Sequence, residues 1–361
     1  MRVAIIHNQL RASGGMESYM LALIRGFQAQ GDEVHVHTYE VDQTLADSLG
    51  CRMHRNNLFF LPRTWKKYFF LSRCNRHFER SQYDLSLALT RTGAADIAVV
   101  GGVHPASVAR RSRRGHILRR FHDRMETRFE AAMFARTPVI LAHARGLAGE
   151  ICAWYPETDQ DKIEVCYPPI DTAFFAPSPK ERLIEIRSNY GIQADRLTLL
   201  FPSRGHRRKG LAELIQAFSQ LDPARFELLV AGEHMRGFGR VPAHVRYIGY
   251  VENLSDLYSA VDYTVLPSHY EPFGLAVVES LHCGTPVLVS RQVGAVELLT
   301  PAEGVVLDTV TSKALVGAIG GLQKFRVAPG FVKRHGLSIG GHIRAIKEMV
   351  VERAGMKHAG V

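Results

Sequence analysis

The sequence predicts an α/β protein of two doubly wound parallel-sheet domains. Three observations predict it: a strand–helix rhythm that repeats along the chain, a proline-marked break near its middle, and a length suited to two cores. At 361 residues the chain exceeds the ~250–300 at which a single core stops growing. Its 46% hydrophobic and 22% charged residues are the composition of a soluble globular protein. No apolar run approaches the ~18 residues of a spanning helix.

Taken in order, "RVAIIH" is a short buried strand rather than a signal peptide, because no h-region or small-residue cleavage site follows it. A helix follows over 15–30, then the strand "EVHVHTY", then "DLSLAL", "IAVVG" and "PVILAH". Short β-branched runs alternating with helical patterns predict parallel strands with helices on both faces. Over 165–177, "VCYPPIDTAFFAP" breaks the rhythm and predicts a hinge at Pro168 and Pro169. The rhythm then restarts with "LTLLFPS", a helix over 210–221, "FELLVAG", "VRYIGY", a helix over 253–261, "YTVLPS", a helix over 274–283 and "TPVLVS". The expected division is 1–169, 170–335 and a terminal helical segment, 336–361, that crosses back to the first domain. Ligands of such sheets bind beyond the carboxyl ends of the strands, so the loops there are the places to search.

Three loops carry candidate chemistry. In "SHYEPFGLAVVESLHCGTPVLVS", Glu271 stands beside a turn and Glu279 further along the helix that follows. Carboxylates beside apolar residues are costly unless something binds them. The amides of Phe273, Gly274 and Leu275, with Pro272 in the first turn, read as an anion site at a helix start. The plain alternative, a capping glutamate and a solvated one, is outweighed by the surrounding loop. In "LLFPSRGHRRKGLAEL", Arg204, Arg207, Arg208 and Lys209 precede a helix. Cations there oppose the helix dipole, and the reading is a clamp for a diphosphate, the alternative an exposed basic loop. In "RASGGMESY", Gly14 and Gly15 open a helix, but neither a dinucleotide fingerprint nor a P-loop lysine is present.

"GG-x-E" after the first strand, "R-K-G" opening a later helix, and "E-P-F-G-L-A-V-V-E" before "G-T-P-V" resemble the retaining glycosyltransferases of the GT-B fold, family four. The match runs in order over nearly the whole chain. With the segment 103–175, the spacing is most similar to the lipopolysaccharide core glucosyltransferases acting on the inner-core heptose. The resemblance implies two Rossmann-like domains facing across a cleft and closing around the donor, with acceptor groups on the first and donor groups on the second. It implies that Glu271 holds donor-sugar hydroxyls and Glu279 the ribose. Lys209, with Arg208 or Arg204, neutralises the diphosphate. Gly14 and Gly15 lie near sugar and phosphate, and Gly249, Tyr250 and Val251 near the base. His104, in "GGVHPA", falls where many members carry a histidine close to the reacting carbon; the alternative is a loop histidine without a task.

The reaction so implied moves a hexose, glucose first, from a nucleotide sugar, UDP first, to a lipid-anchored glycan. No metal is expected, because Arg and Lys replace it. The Asp159-Gln160-Asp161 triplet sits in the polar turn "PETDQDK" and reads as a solvated loop. Two alternatives stay open: a nucleotide-sugar epimerase on the same scaffold, and a non-catalytic nucleotide-sugar-binding membrane protein.

Charge points to the partner. The net charge is +10, yet residues 52–128 alone hold 17 Lys and Arg against 5 Asp and Glu. A basic stretch without a recognition module argues against nucleic acid and for an anionic surface. In 105–134, Leu118, Phe121, Met125, Phe129 and Ala132 form an apolar stripe read as mostly core. Arg110, Arg111, Arg113, Arg114, Arg120 and Arg124 are then expected to face lipid or a phosphorylated acceptor. Five scattered cysteines without C-x-x-C pairs argue for a reducing cytoplasm. The expected location is therefore peripheral, on the inner face of the bacterial cytoplasmic membrane.

Overall fold

A computed structural model describes residues 1–11, 14–110 and 117–359. The chain divides into two compact units, Met1–Pro169 together with the segment from Leu337 onward, and Ile170–Gly336.

The first unit holds strands β1 (Arg2–Ile6), β2 (Gln9–Leu10), β3 (Glu33–Thr38), β4 (Glu40–Val41), β5 (Arg52–Arg55), β6 (Leu85–Ala88), β7 (Ile97–Val100), β8 (Val139–Ala142) and β9 (Ile163–Val165). Seven of them form one parallel sheet in the order β5-β3-β1-β6-β7-β8-β9, and β2 pairs with β4 in a small ribbon. The helices are α1 (Gly15–Ala29), α2 (Gln43–Leu49), α3 (Arg63–His77), α4 (His104–Ala109), α5 (Ile117–Arg136), α6 (Arg145–Trp154) and, from the chain's end, α13 (Ile339–Ala359). Ile343 and Ile346 of α13 join Leu23, Ile24 and Phe27 of α1 in one core. Gly26 makes room for this packing, since a Cβ there would stand 2.5 Å from Ile339 Cγ2. Tyr19 and His342 add a hydrogen bond of 2.7 Å between the same helices.

The second unit holds β10 (Leu197–Ser203), β11 (Phe226–Gly232), β12 (Val245–Gly249), β13 (Tyr263–Leu266), β14 (Val287–Ser290) and β15 (Gly304–Leu307), all parallel in the order β12-β11-β10-β13-β14-β15. Its helices are α7 (Lys180–Asn189), α8 (Leu211–Phe218), α9 (Leu254–Ala260), α10 (Leu275–His282), α11 (Ser312–Gly320) and α12 (Phe331–Arg334). Every residue of β10 and β13 is buried, the signature of parallel strands covered on both faces. Each sheet is thus a doubly wound, Rossmann-like layer whose strand order reverses once, at β1/β6 and at β10/β13. Ligands of such sheets bind at those reversals.

Three local expectations are corrected. The helices after β10 and β13 start one residue later than expected, at Leu211 and Leu275, with Gly210 and Gly274 as left-handed caps. Pro272 therefore lies in the loop ahead of α10, not in its first turn. The stripe on α5 is core only in part. Phe129 packs against a core cluster with Phe70 and Leu71, but Phe121 is 52% exposed, and Glu126, Glu130, Met133 and Phe134 are buried. Two carboxylates can point inward because Lys67 and Arg91 arrive from elsewhere in the chain to neutralise them. The Asp159 side chain accepts the Asp161 amide at 3.1 Å in a short turn before β9.

Candidate functional site

In the second unit the loops after β10 and β13 meet. Arg208 Nη1 lies 3.1 Å from Glu271 Oε2, and Lys209 Nζ lies 3.3 Å from the same oxygen. Arg208 also donates to the Tyr270 carbonyl. A basic loop before a helix was expected to need an outside anion; in the structure Glu271 already supplies one. The two stretches read separately in the sequence form one cluster.

The backbone holds this cluster in place. The Glu271 amide donates to the Gln292 carbonyl at 3.0 Å, and the Gly294 amide to the Glu271 carbonyl at 2.9 Å. The Phe273 carbonyl accepts the Ala295 amide at 2.8 Å. The loop after β14 thus fixes both ends of Glu271-Pro272-Phe273. Gly274 has φ of +95°, and a Cβ there would meet Val293 Cγ1 at 2.8 Å. Gly210 is tighter still, with φ of +82° and a prospective Cβ 2.2 Å from the Pro267 carbonyl oxygen. Lys209 is aimed by a turn that only glycine can close. Leu275 is the first residue of α10, and two residues on the Val277 amide is already bonded to the Gly274 carbonyl at 2.9 Å.

Glu279 lies on α10, where the Tyr258 hydroxyl donates to Oε2 at 3.1 Å. Burial pushes its carboxyl up from the usual 4.5 to about 7, against the pull of that hydroxyl and of the Lys209 charge. Lys209 therefore acts on both glutamates. A raised folded-state value means that the folded protein holds an extra proton between about 4.5 and about 7. Stability should fall as pH rises through that window, because the native state then loses a proton it favours. If Glu279 accepts hydroxyl hydrogen bonds as a carboxylate, nucleotide affinity should rise over the same window. Titrating UDP binding and unfolding against pH, with Glu279→Gln as control, checks both; a slope that survives in the variant would clear Glu279 of the effect.

Arg204 does not join the cluster. Its guanidinium lies over the exposed Tyr250 ring, 5.5 Å from the centroid. Gly249 takes φ of +80° at the end of β12, and Val251 turns back into the core.

In the first unit, Gly14 caps α1 with φ of +81°, and its carbonyl accepts both the Ser18 amide and hydroxyl. A Cβ at Gly14 would stand 2.6 Å from Glu17 Oε2. Gly15 begins the helix. Burial tends to raise the Glu17 carboxyl, but the His7 imidazole, 3.9 Å away, and a hydrogen bond from Gln9 bring it below the usual range. This carboxylate, in the first turn of α1, was quoted in the GG-x-E motif without a role.

His104 opens α4 after β7 and is buried. Its amide donates to Glu130 Oε2 at 2.8 Å, and its Nε2 lies 3.0 Å from Asp123 Oδ1. Glu130 also receives Arg91 Nε at 2.9 Å and the Tyr155 hydroxyl at 2.8 Å. Burial and the Arg91 charge hold the imidazole below its ordinary range, although Asp123 pulls the other way. No local motif marks Asp123, Glu130 or Arg91; 26 residues separate His104 from Glu130.

Of the basic residues, Arg120 and Arg124 are exposed. Arg110 is not available to a ligand in the same way, since it pairs with Glu150 at 2.7 Å. Arg111, Arg113 and Arg114 lie outside the described residues.

Comparison with known proteins fits this arrangement. A model of the glycosyl transferases group 1 matches residues 184–323, and one of glycosyltransferase family 4 matches residues 13–174. A probable transglycosylase of Burkholderia thailandensis is 31% identical over 376 residues, spanning 100% of this chain and 99% of that protein. A D-inositol 3-phosphate glycosyltransferase of Segniliparus rotundus is 29% identical over 198 residues, 50% of this chain and 43% of that one. Among solved structures, WaaG, a glycosyltransferase involved in lipopolysaccharide biosynthesis, aligns with a TM-score of 0.75 at 17% identity, covering 95% of this chain and 94% of its own. HepE of Anabaena in complex with UDP-glucose aligns with a TM-score of 0.74 at 16% identity, covering 98% and 100%. The chain has the GT-B fold and belongs to the group 1 glycosyltransferase family.

Proposed function

We propose that the protein is a retaining, metal-independent hexosyltransferase that moves glucose from UDP-glucose to a lipid-anchored glycan of the lipopolysaccharide-core type. The observation that carries this reading is the convergence of Arg208 and Lys209 on Glu271, with Glu279 held by Tyr258 beside them. In the second unit, Arg208 and Lys209 take the diphosphate, Glu271 the sugar hydroxyls and Glu279 the ribose. The bond between the sugar's anomeric carbon and the diphosphate oxygen breaks as the acceptor oxygen bonds to the same face. The acceptor's proton passes to the departing diphosphate. The two cations stabilise the negative charge that develops there, the kind of electrostatic contribution that dominates group transfer. His104, in the first unit, is the candidate for the reacting carbon's surroundings.

The donor is tested by thermal stabilisation and slow hydrolysis across a panel of nucleotide sugars. UDP-glucose should stabilise the protein, and both binding and transfer should persist in EDTA. Stabilisation by GDP-mannose but by no UDP-sugar would overturn the donor, and a strict Mg²⁺ requirement would overturn the cationic clamp.

For the acceptor, support comes from the first unit's surface. Phe59, Phe60, Trp65 and Phe121 are exposed among Arg63, Arg120 and Arg124. Aromatic residues among cations suit an anionic bilayer surface, each cation contributing about 1 kcal/mol. Among the described residues, no helix is long and apolar enough to cross a membrane, so the association proposed is peripheral. Changing Arg63, Arg120 and Arg124 together to Glu should release the protein from anionic vesicles and leave UDP binding unchanged. Vesicle binding that ignores both the triple change and salt sinks the membrane part, as would equally tight binding to duplex DNA.

A further inference from the structure

We propose that His104, His122 and Asp123 form a binding site for a zinc-class divalent ion, and that an ion held there shuts off transfer by occupying His104. The three side chains come from the start of α4 and the second turn of α5. One ligand atom from each lies within 4.8 Å of the other two. His104 Nε2 stands 3.0 Å from Asp123 Oδ1, and His122 Nδ1 stands 3.9 Å from the same oxygen.

Those spacings suit a small tetrahedral ion. With bonds of about 2.0–2.1 Å, tetrahedral ligand atoms stand roughly 3.3–3.4 Å apart. The separations of 3.0 and 3.9 Å to Asp123 bracket that figure, and closing His122 onto Asp123 and His104 converts the hydrogen-bonded pair into a ligand set. His122 can supply the movement, because its side chain is largely exposed. His104 cannot drift, because its amide is tied to Glu130, which Arg91 and Tyr155 hold in turn. Such outer support is what orients metal-binding imidazoles.

The ligand types agree with such an ion. Glu126 and Glu130 are matched by Lys67 and Arg91, while Asp123 faces His104. Two imidazoles and one carboxylate favour Zn²⁺ or Co²⁺ over Mg²⁺, which demands oxygen ligands.

The inhibitory consequence rests on the proposed role of His104 at the sugar; the site itself does not. Zn²⁺ retention is measured by equilibrium dialysis on the whole protein and on His122→Ala, with Co²⁺ absorption as a second readout. The parent should retain about one equivalent, and the variant should bind at least tenfold more weakly and lose the tetrahedral Co²⁺ spectrum. Transfer by the parent should fall with added Zn²⁺ and recover in EDTA. His122→Ala should keep the basal rate and shift the inhibition midpoint by the same factor as its affinity. Mg²⁺ should do neither. Zn²⁺ bound equally by parent and variant, or not retained by the parent, overturns the site. Binding that shifts while inhibition does not overturns the regulatory half alone. A protein inactive with every donor sinks the transferase reading, and dialysis still decides the site.

Discussion

Glu271→Ala is expected to cut kcat/KM for sugar transfer by about a hundred- to a thousandfold, the scale of losing one preorganised electrostatic group, while UDP affinity stays at or above the parent's. The two halves follow from one geometry. Glu271 Oε2 is the anion that Arg208 and Lys209 hold in the ligand-free protein, at 3.1 and 3.3 Å. Removing it frees both cations for a diphosphate, so nucleotide binding has no reason to weaken. The sugar, however, loses the carboxylate that would orient its hydroxyls over the leaving group, and misorientation is costly in rate. Glu271→Gln should recover little, since the amide places a donor where an acceptor is needed. The measurement is UDP titration by calorimetry beside steady-state transfer. Parallel losses in affinity and rate would mean that Glu271 serves the nucleotide, and the sugar assignment would fall.

The fold class was legible because fully buried parallel strands leave a mark that nothing else does. "LTLLFPS" and "YTVL" read as largely apolar runs between polar helical segments, and both are buried throughout. Helix starts were less legible. Gly210 and Gly274 were counted as helical, whereas their left-handed backbone makes them caps. Helix α5 was read only in part, for a more general reason. Periodicity assumes that the inward face is apolar, and here Glu126 and Glu130 face inward because Lys67 and Arg91, 59 and 39 residues away, neutralise them. Only the fold brings Lys67 and Arg91 to these acids.

The candidate site divides in the same way. Glu271, Glu279, Arg208 and Lys209 could each be singled out from a loop at a strand end. That Glu271 itself neutralises the cations could not, since 63 residues separate it from Arg208 and only the reversal of strand order between β10 and β13 joins them. Tyr258 is a further case. It donates to Glu279 from α9, and nothing in "DLYSA" distinguishes it from a core tyrosine. His104 was singled out from its loop, but its setting by Asp123, Glu130 and Arg91 has no local signature.

Lys209→Ala should be the more damaging change, because it should weaken both ground-state binding and the chemical step. Lys209 is mostly buried, and its ammonium touches Glu271 while its charge also lowers the Glu279 carboxyl. Without it two carboxylates face one remaining guanidinium, and Glu279 should move further above about 7, leaving less carboxylate to accept ribose hydrogen bonds at neutral pH. A hydrogen bond to a charged group contributes about 1.5–3 kcal/mol, so UDP affinity should drop about ten- to a hundredfold. The departing diphosphate loses a cation as well, which adds about a hundred- to a thousandfold in kcat. The pair offers a sharper test than either change alone. In Glu271→Ala/Lys209→Ala the internal ion pair is gone from both sides, so the double variant should bind UDP better than the sum of the single effects allows if the pair is coupled. Strict additivity, or UDP bound by Lys209→Ala as tightly as by the parent, would place the diphosphate elsewhere, with Arg204 beside Tyr250 as the next position to change.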